Sequence, residues 1–338
     1  MNDLPSEITN LNAKNDSEVE FEQSLRPSSF DEVIGRHVEK KSLKIMIESA
    51  KKRSKAIDHV LFHGPPGLGK TTLAYVVGKE MGSNVHITSG SAIEKPGDLA
   101  AILTSLEPYS ILFIDEIHRL KRTIEEILYP AMEDKVLDIV IGKGPNARTL
   151  RLDLPEFTII GATTKLSMLS SPLRDRFGMS FRLDFYENED LEKVIKQKAK
   201  MLGIKISESA AELIAKRSRM TPRIAIRILK RARDLAVVKN SDEITDTITN
   251  EIFKLLDIDD HGLTFTDREI LRSLLINFSE RPVGLNTLAA SISEEPETIE
   301  TVYEPFLLKK GFIQRTARGR LITDKAKEIY GVLFSEVV

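Results

Sequence analysis

The chain has no cysteine among its 338 residues. It therefore cannot form a disulfide framework, a zinc finger or a thiol nucleophile, and the absence suits a cytoplasmic protein. It also lacks an apolar signal core at its N-terminus and any apolar run long enough to cross a membrane. The formal net charge is −2, so any nucleic-acid site must be a local patch. We expect a soluble cytoplasmic protein of two or three domains.

The most informative segment is a glycine-rich loop, GPPGLGKT, which begins at Gly64 and follows a short apolar run. The order of strand, glycine loop and helix start predicts a phosphate site. Gly64, Gly67 and Gly69 would let backbone amides converge on a polyphosphate at the positive end of the helix. Lys70 would reach the β- and γ-phosphates, and the Thr71 hydroxyl would ligate Mg²⁺. The alternative is a tight turn that binds nothing.

Two carboxylates end the apolar run ILFI, at Asp115 and Glu116. Such a run predicts a buried parallel strand with its chemistry at the C-terminal edge. Asp115 would hold Mg²⁺ through water, and Glu116 would act as general base on the attacking water. Capping of the next helix explains an isolated Asp-Glu pair equally well, but the pair follows a phosphate loop here.

A further apolar strand ends at Thr163 and Thr164. Either hydroxyl could orient the lytic water, or cap the next segment. The segment SPLRDRF that follows places Arg174 and Arg176 on a short helix. Arginines that stabilise phosphoryl transfer can come from a neighbouring subunit, and a surface salt bridge is the ordinary alternative.

Alternating apolar residues on both sides of a glycine turn predict a β-hairpin over about residues 136–154. The pattern leaves open whether the hairpin packs on the core or projects. If it projects, Ile139 and Ile141 form an exposed apolar patch of the kind that marks partner sites.

Helical periodicity over residues 187–257 predicts a small all-helical lid. Thr221 and Pro222 fit a helix start, from which Arg223 could point back at the nucleotide. The remaining cations of this helix are by default a solvated face: Arg227, Lys230, Arg231 and Arg233.

The last segment, residues 258–338, reads as three helices and two short strands, which is the winged-helix pattern. Residues 305–328 hold four lysines and three arginines against one aspartate and one glutamate, a net charge of +5. Arg315, Arg318 and Arg320 are expected to contact DNA phosphates. A winged helix that contacts only proteins is the alternative.

Together these motifs resemble the RuvB family of AAA+ ATPases, the motors of bacterial Holliday-junction branch migration. The resemblance runs from about residue 21 to residue 330. Its marks are GPPGLGKTT from Gly64, LFIDEIHRL from Leu112, YPAMED from Tyr129, GATT from Gly161, residues 171–178, TPRIA from Thr221, EPF from Glu304 and residues 311–320.

The resemblance implies an α/β fold: an AAA+ P-loop domain with a parallel sheet over residues 21–186, a helical lid over 187–257 and a winged-helix head over 258–338. Residues 1–20 are expected to be a disordered leader. The implied activity is ATP- and Mg²⁺-dependent translocation on double-stranded DNA at four-way junctions, in recombination and repair. The implied partners are RuvA, RuvC and further copies of the chain in a hexameric ring.

Residue by residue, the resemblance places Leu25, Arg26 and Tyr186 near the adenine. It places either Thr163 or Thr164 at the first sensor, Arg176 at the trans-acting finger (with Arg174 as the lesser candidate) and Arg223 at the second sensor. Further nucleotide contacts fall on Gly67, Gly69, Lys70, Thr71, Thr72, Glu133, Asp134 and Lys135. The hairpin at Ile139 and Ile141 matches the docking element for RuvA, which favours projection, and the turn at Arg315, Arg318 and Arg320 matches the DNA-binding wing.

Some positions depart from the family pattern. The family usually has Gln at Arg36, Gly at Met220, a glycine pair at Glu280 and Arg281, and Pro at Ala317. No departure removes a catalytic group. The rival interpretations are a replication initiator or clamp loader, which would lack the inserted hairpin, and a protein unfoldase, which would need an aromatic pore loop.

Overall fold

The computed structural model describes residues 25–141 and 148–335. The predicted leader over residues 1–20 and the predicted hairpin turn at 142–146 lie outside these ranges.

A parallel sheet with helices around it forms the first part of the described chain. Its strands and those of a separate hairpin are β1 (Val60–His63), β2 (Val85–Ser89), β3 (Ile111–Asp115), β4 (Val136–Ile141), β5 (Arg148–Asp153), β6 (Thr158–Thr163) and β7 (Met179–Arg182). Helices α1 (His37–Arg53), α2 (Lys70–Met81), α3 (Pro96–Thr104), α4 (Arg122–Glu133) and α5 (Ser171–Asp175) accompany them. The strand order is β2-β3-β6-β1-β7 and each pairing is parallel.

The central strands are buried on both faces, which explains their continuous apolar runs. All six residues of β6 are buried, as are the first three of β1 and the first four of β3. Because β1, β3 and β6 are parallel, their carboxyl ends meet at one edge of the sheet, where polar residues follow each strand.

Four helices form the lid: α6 (Asn188–Met201), α7 (Glu208–Arg217), α8 (Pro222–Val238) and α9 (Asp246–Leu255), with the short strands β8 (Lys205–Ile206) and β9 (Glu243–Ile244). Thr221 is the N-cap residue of α8 and Pro222 occupies its first turn, as predicted. The Thr221 hydroxyl does not cap the helix, however, because it donates to the Ser218 carbonyl. The lid residues Leu191, Ile214 and Ile228 belong to the same apolar cluster as Phe62 of the sheet.

The C-terminal head has its own apolar cluster. Its elements are α10 (Phe265–Arg272), α11 (Leu285–Ser291), α12 (Pro296–Thr298), α13 (Glu304–Lys310), β10 (Ile313–Thr316), β11 (Gly319–Ile322) and α14 (Asp324–Ser335). A π-helical segment extends α10 over Ser273–Asn277, and a second one joins α12 to α13 over Ile299–Tyr303. The three predicted helices correspond to α10, α11 and the joined pair α12 and α13. Together with the antiparallel β10–β11 hairpin they confirm the winged-helix prediction. The sequence analysis missed the last helix, α14.

Three of the positions that depart from the family pattern have left-handed backbone. Arg36 and Met220 have φ 56°, and Glu280 has φ 60°. Glycine adopts this conformation without a steric cost, so the residues present here carry some strain. Beside Met220, the buried Arg219 pairs with Asp267 and donates to the Val302 carbonyl, which joins lid to head.

Within the described residues, no helix is both long and apolar enough to cross a membrane.

Candidate nucleotide-binding and hydrolysis site

A cleft of about 680 Å³ lies between the carboxyl edge of the sheet and the lid. It gathers most of the predicted nucleotide residues, although they come from distant parts of the chain. Those that line it are Leu25, Arg26, Gly67, Gly69, Lys70, Thr71, Thr72, Asp115, Glu116, Thr164, Tyr186 and Arg223.

The phosphate loop has a backbone that side chains would disturb. Gly64 has φ 139°, and a Cβ there would lie 2.3 Å from the Leu183 carbonyl oxygen. Gly67 has φ 80°, and its Cβ would lie 3.1 Å from the Cβ of Arg223. Gly69 has φ 89° and is the N-cap residue of α2. The loop thus presents bare backbone at the positive end of a helix, which is the cradle a polyphosphate requires.

Lys70 is only 8% exposed. Its Nζ donates to the Gly64 and Pro65 carbonyl oxygens, each at 2.8 Å. Burial lowers the pKa of Lys70 to about 8, against the opposing attraction of Asp115 and with further lowering by Arg223. A bound phosphate would offer this ammonium group a charged acceptor in place of the two carbonyls.

Asp115 ends β3 and Glu116 follows in a left-handed conformation, with φ 46°. The Asp115 Oδ1 accepts from the Glu116 amide at 2.9 Å. The Glu116 Oε2 lies 2.8 Å from the Arg119 Nε, so this carboxylate is ion-paired in the structure. A role of Glu116 as general base would therefore require its release from Arg119.

The donor set fits an Mg²⁺ ion that is shared with phosphates. Thr71 supplies a hydroxyl and Asp115 a carboxylate to the same cleft. Mg²⁺ in phosphate-transfer sites is held by one or two such protein groups, with waters and phosphate oxygens completing the shell. In the described part of the chain no group of three His, Asp or Glu side chains could hold a metal without such help.

The structure separates the roles of the two threonines. Thr163 is fully buried, and its Oγ1 is hydrogen-bonded to His118 Nδ1 at 2.9 Å and accepts from the Lys165 amide at 3.0 Å. Burial lowers the pKa of His118. Thr164 lines the cleft instead. Thr164 is therefore the candidate sensor, and Thr163 fixes the turn that presents it.

Aromatic rings and cations surround the predicted adenine end. The Arg26 guanidinium lies 4.5 Å from the Tyr75 ring centre, and the Arg36 guanidinium lies 4.4 Å from the Tyr186 ring centre. Arg36 also donates to the Asp184 carbonyl at 2.6 Å and to the Leu68 carbonyl at 3.4 Å. Arg36 thus joins the phosphate loop to the segment that leads from β7 into the lid.

Four predicted nucleotide residues lie away from this cleft. The Arg176 NH2 group is 3.1 Å from Glu133 Oε2, and its guanidinium stacks 4.3 Å from the Tyr129 ring centre. Lys135 is half-buried and donates to the Met132 carbonyl at 2.6 Å, and Asp134 is exposed. Glu133, Asp134, Lys135 and Arg176 do not line the cleft, so within one chain they are not among the residues around its nucleotide.

Lid cations that the sequence assigned to a solvated face also line the cleft. Arg227, Lys230 and Arg231 lie along α8 beyond Arg223. Arg227 and Lys230 are four and seven residues after Arg223, a spacing that keeps side chains on one helical face. Periodicity measured from Arg223 could have predicted this.

The three predicted DNA-binding arginines are not equivalent. Glu304 is fully buried and accepts paired hydrogen bonds from both Arg315 and Arg320. The Arg320 side chain is only 15% exposed, whereas that of Arg315 is 52% exposed. Arg318 is exposed in the turn between β10 and β11. Arg318 is therefore the most available of the three to a phosphate.

The β4–β5 hairpin packs on the core at its base. Leu137 is fully buried and Leu154 is 8% exposed, whereas Leu150 is 45% exposed. Leu150 pairs with Ile139, and Arg148 pairs with Ile141. Leu150, the partner of Ile139 in the register, is therefore not covered by the core.

The sheet order, phosphate loop, lid and winged-helix head define an AAA+ P-loop ATPase. Family models agree: RuvB P-loop domain (Holliday junction DNA helicase) over residues 25–183, RuvB AAA lid domain over 186–259 and RuvB C-terminal winged helix domain over 260–331. The chain belongs to the RuvB family.

Relatives show the same similarity. The Holliday junction branch migration complex subunit RuvB of Kosmotoga olearia is 54% identical over 322 residues, which cover 95% of this chain and 94% of that protein. The Thermotoga maritima RuvB Holliday junction branch migration motor is 48% identical, with a TM-score of 0.83 over 91% of this chain and 98% of that one. A mutant of that protein gives a TM-score of 0.85 at 49% identity, covering 91% of this chain and 98% of that one.

Proposed function

We propose that this chain is an ATP-hydrolysing motor that drives branch migration of Holliday junctions together with RuvA. The observation that carries the proposal is the division of the predicted nucleotide residues. The cleft gathers the phosphate loop, both acidic residues, Thr164 and Arg223, but leaves Arg176 with Glu133 elsewhere. The relative from Kosmotoga olearia is named as a subunit of the branch migration complex.

Within one subunit, ATP would lie with its phosphates in the loop and its base near Leu25, Arg26 and Tyr186. Lys70 would leave its two carbonyl partners for the phosphates. Mg²⁺, when bound by Thr71 and by Asp115 through water, would neutralise charge that builds up on the phosphate oxygens. Glu116 would orient and deprotonate the attacking water once Arg119 releases it, and Thr164 would help to position that water.

A neighbouring subunit would complete the site with Arg176 and with the adjoining residues Glu133, Asp134 and Lys135. An arginine supplied in trans stabilises the charge of the transition state, so hydrolysis would depend on assembly. We propose a hexameric ring as that assembly.

Movement of the lid on hydrolysis would carry the head along double-stranded DNA, with Arg318 as a phosphate contact and Arg315 as a second. Ile139 and Ile141 would dock on RuvA; the proposal is supported by Leu150, which pairs with Ile139 and is 45% exposed. RuvC in a larger complex and a cytoplasmic location stay predictions.

The decisive experiment is branch migration of a synthetic four-way junction by this protein with RuvA, ATP and Mg²⁺. Wild type is expected to separate the junction, and Glu116→Gln is expected to bind ATP without separating it. If wild type hydrolyses ATP but never moves the junction with a functional cognate RuvA, the protein is a nucleotide-gated loader instead.

Mixing variant subunits tests whether Arg176 acts on the nucleotide of a neighbouring subunit. Arg176→Ala should lose hydrolysis by about 10³-fold or more while still binding ATP. Rings mixed from Arg176→Ala and Glu116→Gln subunits should recover part of the activity, because some interfaces then hold both intact groups. An absence of recovery in rings shown to be mixed would place Arg176 in cis.

A further inference from the structure

A chain of ion pairs joins the proposed general base to the winged-helix head. The Arg119 Nε lies 2.8 Å from Glu116 Oε2, and its NH2 group lies 3.6 Å from Glu297 Oε1. Glu297 belongs to α12 of the head, whereas Glu116 precedes, and Arg119 ends, a short helical turn directly after β3. One guanidinium is thus held between a carboxylate of the ATPase domain and a carboxylate of the head.

The same head carboxylate also reaches the end of β6. The Lys165 Nζ lies 3.4 Å from Glu297 Oε1 and 3.3 Å from Glu300 Oε2. Lys165 directly follows Thr164, and its amide donates to the Thr163 hydroxyl. Glu297 therefore holds a cation beside each of the two strands that carry hydrolysis residues.

These contacts reinforce the ion pair between Glu116 and Arg119. Alone, an exposed pair three residues apart is weak, because water screens it and both side chains lose rotamer freedom. A planar guanidinium that Glu297 already holds along a second edge loses less further freedom when it pairs with Glu116, so the Glu297 contact would strengthen the Glu116 pair. Departure of the head would remove that anchor.

We propose that Glu297 is a positioning residue through which the head controls the availability of Glu116. With the head docked, Glu297 holds Arg119 on Glu116 and restrains hydrolysis; when the head moves on DNA, Arg119 loses this anchor and Glu116 is freed. The inference rests on the proposed role of Glu116 in hydrolysis.

The test is Glu297→Gln in the full-length protein, which keeps the shape and removes the charge. Glu295→Gln is the matched control, since Glu295 is exposed on the same segment and has no ion pair among the described residues. Without DNA, Glu297→Gln should raise kcat about two- to five-fold with little change in KM, the range expected when exposed ion pairs are lost. The stimulation by DNA should shrink by the same factor.

Arg119→Gln supplies the second arm. It should also raise the kcat without DNA, and Glu297→Gln should add nothing in its presence, because both variants break one chain of contacts. Hydrogen exchange gives a readout that does not depend on hydrolysis. Amides of the Ile117–Arg119 turn should exchange faster in Glu297→Gln than in Glu295→Gln.

The outcomes separate this inference from the proposed function. If Glu116→Gln still hydrolyses ATP, the role of Glu116 is wrong and the inference falls with it. If Glu116→Gln is inactive but Glu297→Gln matches its control in kcat, the inference alone is overturned, whether or not exchange changes. Additive effects of Arg119→Gln and Glu297→Gln would also overturn it.

Discussion

Replacement of Glu304 by glutamine is expected to loosen the wing from inside the head. Glu304 has no exposed surface, and its two oxygens accept four hydrogen bonds from Arg315 and Arg320. Breaking a buried ion pair by neutralising one partner costs about 3–5 kcal/mol. Because the Arg315 side chain is 52% exposed and regains hydration, we expect the lower end, about 3 kcal/mol of unfolding free energy for the head.

Lowering the pH should also loosen the wing, because it protonates Glu304. Burial by itself would raise the pKa of Glu304, but the hydrogen bonds from Arg315 and Arg320 outweigh it and hold the pKa below its ordinary value of 4.5. The folded form therefore binds its proton less readily than the unfolded form. The stabilisation is complete above pH 4.5 and is lost as the pH falls through the lower folded value.

Hydrogen exchange of the β10 and β11 amides in the full-length protein measures this loss, and DNA titrations at several salt concentrations measure binding. Arg318→Ala is the contrasting variant. It should leave wing exchange unchanged while it weakens DNA binding and lowers the salt slope by about 1. The reasoning is refuted if Glu304→Gln leaves wing exchange unchanged, or if Arg320→Ala weakens DNA binding while wing exchange stays as in wild type.

Three further predictions concern the core, the phosphate loop and the hairpin. ATP affinity should fall as the pH rises above the Lys70 pKa of about 8, because phosphate binding requires the ammonium form; calorimetry should show Lys70→Arg to be much less pH-dependent. Burial lowers the pKa of His59 to about 4, so the folded state binds a proton less readily than the unfolded state. The free energy of unfolding should therefore fall by about 1.4 kcal/mol for each unit by which the pH is lowered from 6.5 to 4. Denaturant titrations should show that His59→Gln lacks this slope. Ile139→Ser should abolish RuvA binding in a pull-down while ATP binding persists, whereas Leu137→Ser, at a fully buried site, should lower the melting temperature; an unchanged RuvA affinity for Ile139→Ser would count against docking there.

The local features of this protein were predictable from the sequence. The phosphate loop, the strand that ends at Asp115 and the start of α8 at Pro222 depend on residues that adjoin in the chain. Backbone conformation and periodicity are set within a few residues, so a motif and its flanks suffice. The net charge of the wing likewise predicted a basic surface.

The role of individual side chains depended on contacts between distant segments. Thr164 could be separated from Thr163 only because β6 packs against the turn that carries His118. Likewise, periodicity does not reveal that Arg320 is held by a buried Glu304.

The relation between domains was the least predictable part. Arg176 resembles a catalytic residue in the sequence, but the structure places it with Glu133, outside the cleft of its own chain. The contact of Glu297 with Arg119 joins the head to the ATPase domain, although the whole lid lies between them in the chain. A single ion pair between such distant residues leaves no periodic or compositional signal, so only the tertiary structure decided which charges meet.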